Sequence, residues 1–478
     1  MRFEMKRMIR KDQINILKCR DDHEPISFQK ADDSGFNLLP DSTCSWLKED
    51  DTFKSNTLRK RIEPWLTALS QSEHFSILIG SGLSEAVHRI STVSQDNPSG
   101  IGMSGMEKAD FTVFKQQIEQ GARQSAESAG RDKPNIEDQI RVVNELIKGL
   151  QHYCLNSEVD NGNEELRGQL KNLKSDKTKI LKNFSQEVLN GEKNIATADK
   201  EKREEAFGYL INFLLSFGSR SGTRDRLQIF TTNYDRLIEA GAEVAGLHLL
   251  DRFVGNLFPI FRSSRINIDM HYNPTGIRGE PRYLEGVAYF TKLHGSLDWI
   301  YSGREIRRLG LPFGAESAEP YLNATNLKDV DAGNLIIYPN ESKDRETAEY
   351  PYVELFRDFA ASTCRPNHTL VTYGYGFGDE HINRVIEDML TIPSTHLVII
   401  SYSDPLGRIM KTYKKVARPA QTTLMIGNHL GDLRTLSDNY LPKPAIDRTT
   451  FKMADLLKAR LSTEQTDQDE SPENTGGA

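Results

Sequence analysis

The stretch Phe75 to Ser84, FSILIGSGLS, constrains this chain more than any other. Its mostly apolar run, Phe75 to Ile79, breaks at Gly80-Ser81-Gly82, where side-chain bulk disappears and small hydroxyl residues begin. That change predicts a buried strand running into a turn. In doubly wound sheets ligands sit at the carboxyl ends of strands, and a glycine-rich turn lets backbone N–H groups approach a pyrophosphate at a helix N-terminus. A phosphate-bearing ligand and a plain tight turn are equally good readings of these residues alone.

The chain has 478 residues, more than one average domain, and a large insertion would mimic two domains at this length. Lys and Arg total 61 against 68 Asp and Glu, a formal charge of -7, so global electrostatics do not advertise nucleic-acid or anionic-membrane binding. Cys19, Cys44, Cys154 and Cys364 are scattered with no C-x-x-C pair, which argues against a zinc ribbon and a secreted disulfide scaffold. A reducing cytoplasm fits this usage. The N-terminus lacks the continuous apolar stretch of a signal peptide, and no long uncharged span follows, so a soluble cytoplasmic protein is expected.

Residues 1–57 mix charges with turn residues and read as an N-terminal arm, either packed on a neighbouring subunit or strapped over its own domain. Ile62, Trp65, Leu66 and Leu69 then keep helical spacing and predict a helix leading into the Phe75 strand. After Ser84 a short helix dissolves into the glycine- and serine-rich stretch Asn97 to Gly105, a lid or a connector. Residues 107–219 change character. Ile136, Ile140, Val143, Ile147, Leu150 and Cys154 alternate spacings of three and four, and Asn135 with Asp138 marks a helix start. This block predicts a helical subdomain inserted into a unit spanning 58–445. Its basic run, Lys171 to Lys182, reads better as a solvated face than as a nucleic-acid contact. Beyond it, 446–461 contains a short helical pattern, and the tail 462–478, with five acidic and no basic residues, is expected to be disordered.

Leu227 to Arg236, LQIFTTNYDR, restores the strand pattern and puts polar groups at a strand's carboxyl end before a helix. Asn233 can donate and accept and Asp235 can accept or carry charge, while helix capping explains the pair equally simply. Val287 to Ile300 again runs from apolar alternation into small polar residues at His294-Gly295-Ser296. A histidine there, with an ordinary pKa of about 6.5, can act as a general base, although a lone histidine is more often structural. Thr369 to Asn383 gives a strand breaking at Gly374, Gly376 and Gly378, with Asp379 placed to cap the following helix, and a further strand ends at Ser401.

Together these residues resemble the sirtuin family. Gly80-Ser81-Gly82-Leu83-Ser84 looks like its glycine motif, Thr231-Thr232-Asn233-Tyr234-Asp235 like its T-Q-N-x-D motif, and Leu293-His294-Gly295-Ser296 matches the motif that carries its catalytic histidine. The resemblance spans roughly Ile62 to Met425, interrupted by the helical block. It implies an α/β fold, a Rossmann-like parallel sheet flanked by helices that binds NAD. The four-cysteine zinc module and the G-I-P-D-F-R segment of the protein deacylases are missing, which puts deacylation in doubt. The pattern, including Tyr338-Pro339, Pro351-Tyr352 and Gly374 to Asn383, is instead similar to sirtuin-like NAD hydrolases of bacterial antiphage defence, in which water takes the ribosyl carbon.

By this resemblance Asn233 and His294 are the expected catalytic pair, Asn233 orienting ribose and water and His294 accepting a proton. The turn Gly80-Ser81-Gly82 would hold the pyrophosphate, Ser84 and Thr232 would also bind the cofactor, Asp235 would lie near the nicotinamide amide, and Gly374, Tyr375 and Ser401 near the adenosine half. No metal is required. The resemblance further implies a homo-oligomer, with a separate hexameric HerA-type ATPase or a phage component as activator, since the chain has no phosphate-loop motif of its own. A non-catalytic subunit that senses NAD or ADP-ribose is the alternative.

Overall fold

The computed structural model describes residues 14–31, 35–40, 42–47, 52–95, 97–102, 109–128, 131–156, 163–218, 225–263, 268–272, 282–302, 305–323, 335–337 and 350–443. The expected helix in 446–461, the tail 462–478, Tyr338-Pro339 and part of the Asn97 to Gly105 loop lie outside these residues.

The strands of the main sheet are β1 (Asn15–Lys18), β2 (Ile26–Lys30), β3 (Phe36–Leu38), β4 (His74–Ile79), β5 (Leu227–Thr231) and β6 (His248–Leu250), joined by later strands described below. A second sheet uses β7 (Phe253–Val254) and β8 (Ile260–Phe261), and β9 (His271–Tyr272) pairs with β10 (Arg282–Tyr283) as a small ribbon. Then come β11 (Val287–Lys292), β12 (Gly295–Ser302), β13 (Glu305–Arg308), β14 (Leu335–Ile337), β15 (His368–Tyr373), β16 (His396–Ser401) and β17 (Thr422–Ile426). Among the described residues the main sheet has ten strands in the order β3-β2-β1-β17-β16-β15-β4-β5-β11-β6, parallel from β17 to β6. This is a Rossmann-like α/β fold with helices on both faces.

Alternation along β4 explains why its sequence is nearly all apolar. Phe75, Ile77 and Ile79 belong to one core with α1 (Ser55–Ser70), α2 (Ser81–Ser91), α6 (Lys200–Gly218) and α7 (Leu237–Ala245). Leu78 belongs to the opposite core, with Leu355 and Phe359 of α9 (Tyr352–Thr363) and Ile382 and Ile386 of α10 (Glu380–Met389). A strand covered on both faces needs no polar side.

Between α2 and α6 lie α3 (Lys115–Ser128), α4 (Ile136–Asn156) and α5 (Asn163–Ala196). The expected helix start at Asn135 is present: its N–H donates to Asp138 Oδ2 at 2.8 Å, and the Asp138 N–H donates back to Asn135 Oδ1 at 3.0 Å. The reciprocal bonds satisfy two N–H groups that the first turn would otherwise leave open. Apart from the C-terminal end of α5, where Ile195 joins the main core, helices α3 to α5 do not cover the parallel sheet. Ile118, Ile140, Val143, Leu173 and Ile180 share a core with Leu297 and Ile300 of β12. α6, in contrast, joins the main core through Leu210, Phe213 and Phe217, so the last helix of the 107–219 block serves as the crossover between β4 and β5.

The described part of the expected arm also has a fixed place. β1 pairs antiparallel with β17, and β2 and β3 continue outward as a meander. The strands are three to five residues long, too short to show a period in the sequence. The sheet order β14-β12-β13-β8-β7 is a second feature that sequence reading did not anticipate. It starts one residue after His294, where Gly295 has φ 86, a conformation that favours glycine and turns the chain out of the parallel sheet.

At the start of β16, His396 Nε2 lies 2.8 Å from Thr423 Oγ1 and its ring packs edge-on against Trp65. Burial, aided by nearby Lys18, holds its pKa down to about 4. The unfolded chain therefore binds a proton below about 6.5 that the folded chain refuses until about 4, and stability present above that window is lost as pH falls through it. Unfolding free energy should drop by up to roughly 1.4 kcal/mol per pH unit from this group. Urea midpoints of wild type and His396→Gln across the window will test this, with a shallower pH slope expected in the variant.

Candidate active site

Strand register brings the polar turns to one level. Ile79 pairs with Tyr373 on one side and Thr231 on the other, and Thr231 pairs with Lys292. Gly80, Gly374, Thr232 and Leu293 are consequently the first residues beyond a common edge. From β4 the sheet continues through β5 to one side, and from its neighbour β15 through β16 and β17 to the other, so β4 and β15 form the switch point at which such sheets bind ligands.

The two glycine turns at this point are in direct contact. Gly80 N–H donates to Tyr373 O at 2.9 Å and Gly82 N–H to Gly374 O at 3.1 Å. A Cβ on Gly80 would sit 2.4 Å from Gly374 O, and one on Gly82 would sit 2.5 Å from Gly374 Cα. These glycines are thus required by the stacking of one turn on another, before any ligand is considered. Ser81 is exposed at the first position of α2, an 11-residue helix whose N-cap, Gly80, provides no side-chain cap. As the first residue of the helix it has an N–H with no intrahelical acceptor, the kind of group that meets an anion at a helix N-terminus.

A directional chain of hydrogen bonds ties the turn to the end of β5. The Asn233 amide donates to Gly80 O at 3.0 Å and to Ser84 Oγ at 2.9 Å, and Ser84 in turn donates to Asp235 Oδ2 at 2.7 Å. Gly80 O can only accept, which orients the amide and leaves Oδ1 as the Asn233 group able to meet a ligand. Asp235 Oδ1 also accepts the Leu237 N–H at 3.1 Å at the start of α7. The N-cap of α7 is Arg236, so Asp235 satisfies the first helical N–H from one residue outside the cap rather than as the cap itself.

His294, partly exposed, directs Nε2 at Asp379 Oδ2, 2.7 Å away. Its ring lies 6.3 Å from that of Tyr234, whose carbonyl accepts the Leu297 N–H at 3.2 Å. Asp379 caps α10 as expected, its side chain accepting from the His381 and Ile382 N–H groups. Tyr375 is turned into the core against Phe377, its hydroxyl held by Asn383 Oδ1 at 3.0 Å, so of this residue only the backbone can face a ligand. Burial pushes its phenol well above the ordinary range. The Ser401 hydroxyl donates to Ser403 O at 2.8 Å, so its side chain is committed locally, while its backbone carbonyl accepts the Gly427 N–H.

Behind the strand ends lies a charged layer. Glu192 of α5 accepts from Arg236 N–H at 2.7 Å and pairs with its guanidinium at 2.5 Å, both residues being buried. Burial raises the Glu192 pKa, against the pull of Arg236. Lys292 pairs with Glu239 at 2.9 Å and donates to Asp235 O. Among the described residues no group of three or more His, Cys, Asp or Glu side chains could hold a metal, and no helix is long and apolar enough to cross a membrane.

Residues 227–418 match the family model of the SIR2-like domain. The chain is similar to sirtuin-like proteins over this stretch, which runs from β5 to just beyond α11 (Arg408–Val416) and contains Asn233, His294 and Asp379. It begins after the helical block, so the Gly80 turn lies outside the match although the sheet places it beside Gly374 and Asn233. No curated protein matches the chain.

The sequence reading located Asp379 as a cap but not as the partner of His294, because the two are 85 positions apart and meet only through strand order. Asn233→Ala would remove two buried donors and should cost about 1–3 kcal/mol in folding free energy. Denaturant midpoints will check this, and a variant as stable as wild type would show that the Gly80–Ser84 linkage contributes nothing.

Proposed function

We propose that this chain is an NAD glycohydrolase, cleaving NAD to nicotinamide and ADP-ribose. The observation that carries this reading is the convergence, at the switch point, of a helix N-terminus suited to pyrophosphate and a histidine oriented by a carboxylate. The SIR2-like match supports NAD-related chemistry in general. Ser81, whose N–H heads α2 while those of Gly80 and Gly82 are spent on the facing turn, would hold the pyrophosphate; Asn233 Oδ1 would accept from ribose or water; Thr232 and the Gly374 backbone would line the same edge.

Breaking the nicotinamide–ribosyl bond leaves an oxocarbenium-like centre, so the protein must orient the ribose, exclude bulk water and deliver one nucleophile. His294 accepts the proton of the attacking water or of a ribose hydroxyl, a role that typically contributes about 100-fold or more in rate. The four cysteines sit at 19, 44, 154 and 364, so they do not form the clustered zinc module of protein deacylases, and hydrolysis is favoured over deacylation.

In this reading the protein is a cytoplasmic, NAD-depleting effector of a bacterial antiphage system. An effector that was always on would deplete an essential cofactor, so activity is gated by homo-oligomer assembly and by a partner such as a hexameric ATPase or a phage component. A binding-only sensor of NAD or ADP-ribose is the second reading. It is favoured by Asn233 and Asp235, whose hydrogen bonds are largely spent within the protein.

Nicotinamide release from NAD by the purified chain, alone and across a concentration series monitored by light scattering, separates these readings. Turnover is expected to rise with assembly and to fall by about 100-fold or more in His294→Ala. Tight NAD binding without nicotinamide release in any assembly state would favour the sensor.

A further inference from the structure

The Asp379 carboxylate faces two ways. Oδ1 accepts the His381 N–H at 3.0 Å and the Ile382 N–H at 3.3 Å, which caps α10, while Oδ2 lies 2.7 Å from His294 Nε2. We infer that Asp379 is a positioning residue for His294, holding the imidazole in the tautomer that carries its proton on Nε2 and its basic lone pair on Nδ1. The inference rests on the hydrolase reading given above.

Three observations carry it. A carboxylate only accepts, so the neutral ring must present Nε2–H to it and keep Nδ1 as the base. Asp379 is buried, and its loop is laced by the Asn383 amide, which donates to Phe377 O at 3.0 Å, and by the Tyr375 hydroxyl, placed 3.0 Å from Asn383 Oδ1 and 3.2 Å from Asp379 O. The carboxylate is therefore held by a rigid frame. Lastly, Asp379 follows β15 and His294 follows β11, with β4 and β5 between them. At an interstrand spacing of about 4.8 Å the ends of β15 and β11 lie roughly 14 Å apart, a gap that the loop after Gly374 and the two side chains close together. Capping α10 requires no such reach, and the pair spans the ends of the two strands that carry the Gly80 turn and Asn233.

In the hydrolytic step the bond from ribose C1′ to the nicotinamide nitrogen breaks with its electron pair leaving on nicotinamide. Water oxygen bonds C1′, and the water proton passes to His294 Nδ1 and then to solvent. Asp379 keeps its charge throughout and stabilises the imidazolium formed in between.

Asp379→Asn separates positioning from capping, because Asn is as good a cap as Asp. With Oδ1 on the α10 N–H groups, the new amide would turn an N–H towards Nε2 and force the ring proton onto Nδ1, where it blocks the base. The expected result is a wild-type melting temperature, a KM for NAD within about threefold, and a kcat lowered by about 100-fold or more, with no further loss when His294→Ala is added. Nitrogen-15 spectra of histidine-labelled full-length protein should show His294 protonated on Nε2 in wild type and on Nδ1 in Asp379→Asn. A wild-type kcat in the variant, or a wild-type His294 protonated on Nδ1, overturns the inference. The nitrogen spectra of wild type decide it even where Asp379→Asn fails to fold. If wild type releases no nicotinamide the hydrolase reading falls by itself, and the tautomer still reports on Asp379.

Discussion

The architecture depends on a contact made without side chains. At the switch point the Gly80–Gly82 turn lies against Gly374, so closely that a Cβ on Gly80, Gly82 or Gly374 would overlap backbone atoms of the facing turn. Strands β4 and β15 can then run parallel to their last residue, from His74 opposite His368 to Ile79 opposite Tyr373, before their chains part to opposite faces of the sheet. Gly374 adopts φ 60, which favours glycine independently of the crowding. Every polar group proposed for catalysis is referred to this junction, because Asn233 binds the Gly80 carbonyl and Asp379 lies on the loop that leaves Gly374.

Two hydrogen-bonded systems extend from the junction with opposite character. Asn233, Ser84 and Asp235 are all buried and bound to one another, so their first effect is to fix the β5 end against α2. In a low-dielectric setting such a chain is stable only when each member is satisfied. His294 and Asp379 form a shorter system in which the histidine stays partly exposed. Rigidity behind and an accessible base in front are what a site needs if it is to hold a ribose and move a proton.

Much of this was legible in the sequence, for identifiable reasons. The strands β4, β5, β11, β15 and β16 are apolar runs that end in glycine or small polar residues, a pattern imposed by burial on two faces and a ligand edge on the third. Asp379 as a cap was legible because capping is local. What depends on strand order was hidden: the His294–Asp379 pair, the direct stacking of the two glycine turns, and the inward rotation of Tyr375. The meander β1 to β3 and the second sheet were missed because their strands are mostly short, and β12, at eight residues, reads as a continuation of β11 until Gly295 turns the chain.

The corner at Gly295 puts the histidine between two bodies. Upstream of it β11 is bonded into the parallel sheet, and downstream β12 is packed against α3 to α5, which are anchored a second time by the buried Glu192–Arg236 pair beneath the β5 loop. Mechanically the helical block and the imidazole are in series. A torque applied to the outer surface of those helices has two rigid routes inward, and both end within a few residues of His294 or Asn233. Something gripping the block from outside would thus act as a hand on a lever whose short arm ends at the imidazole and at the turn that carries Asn233.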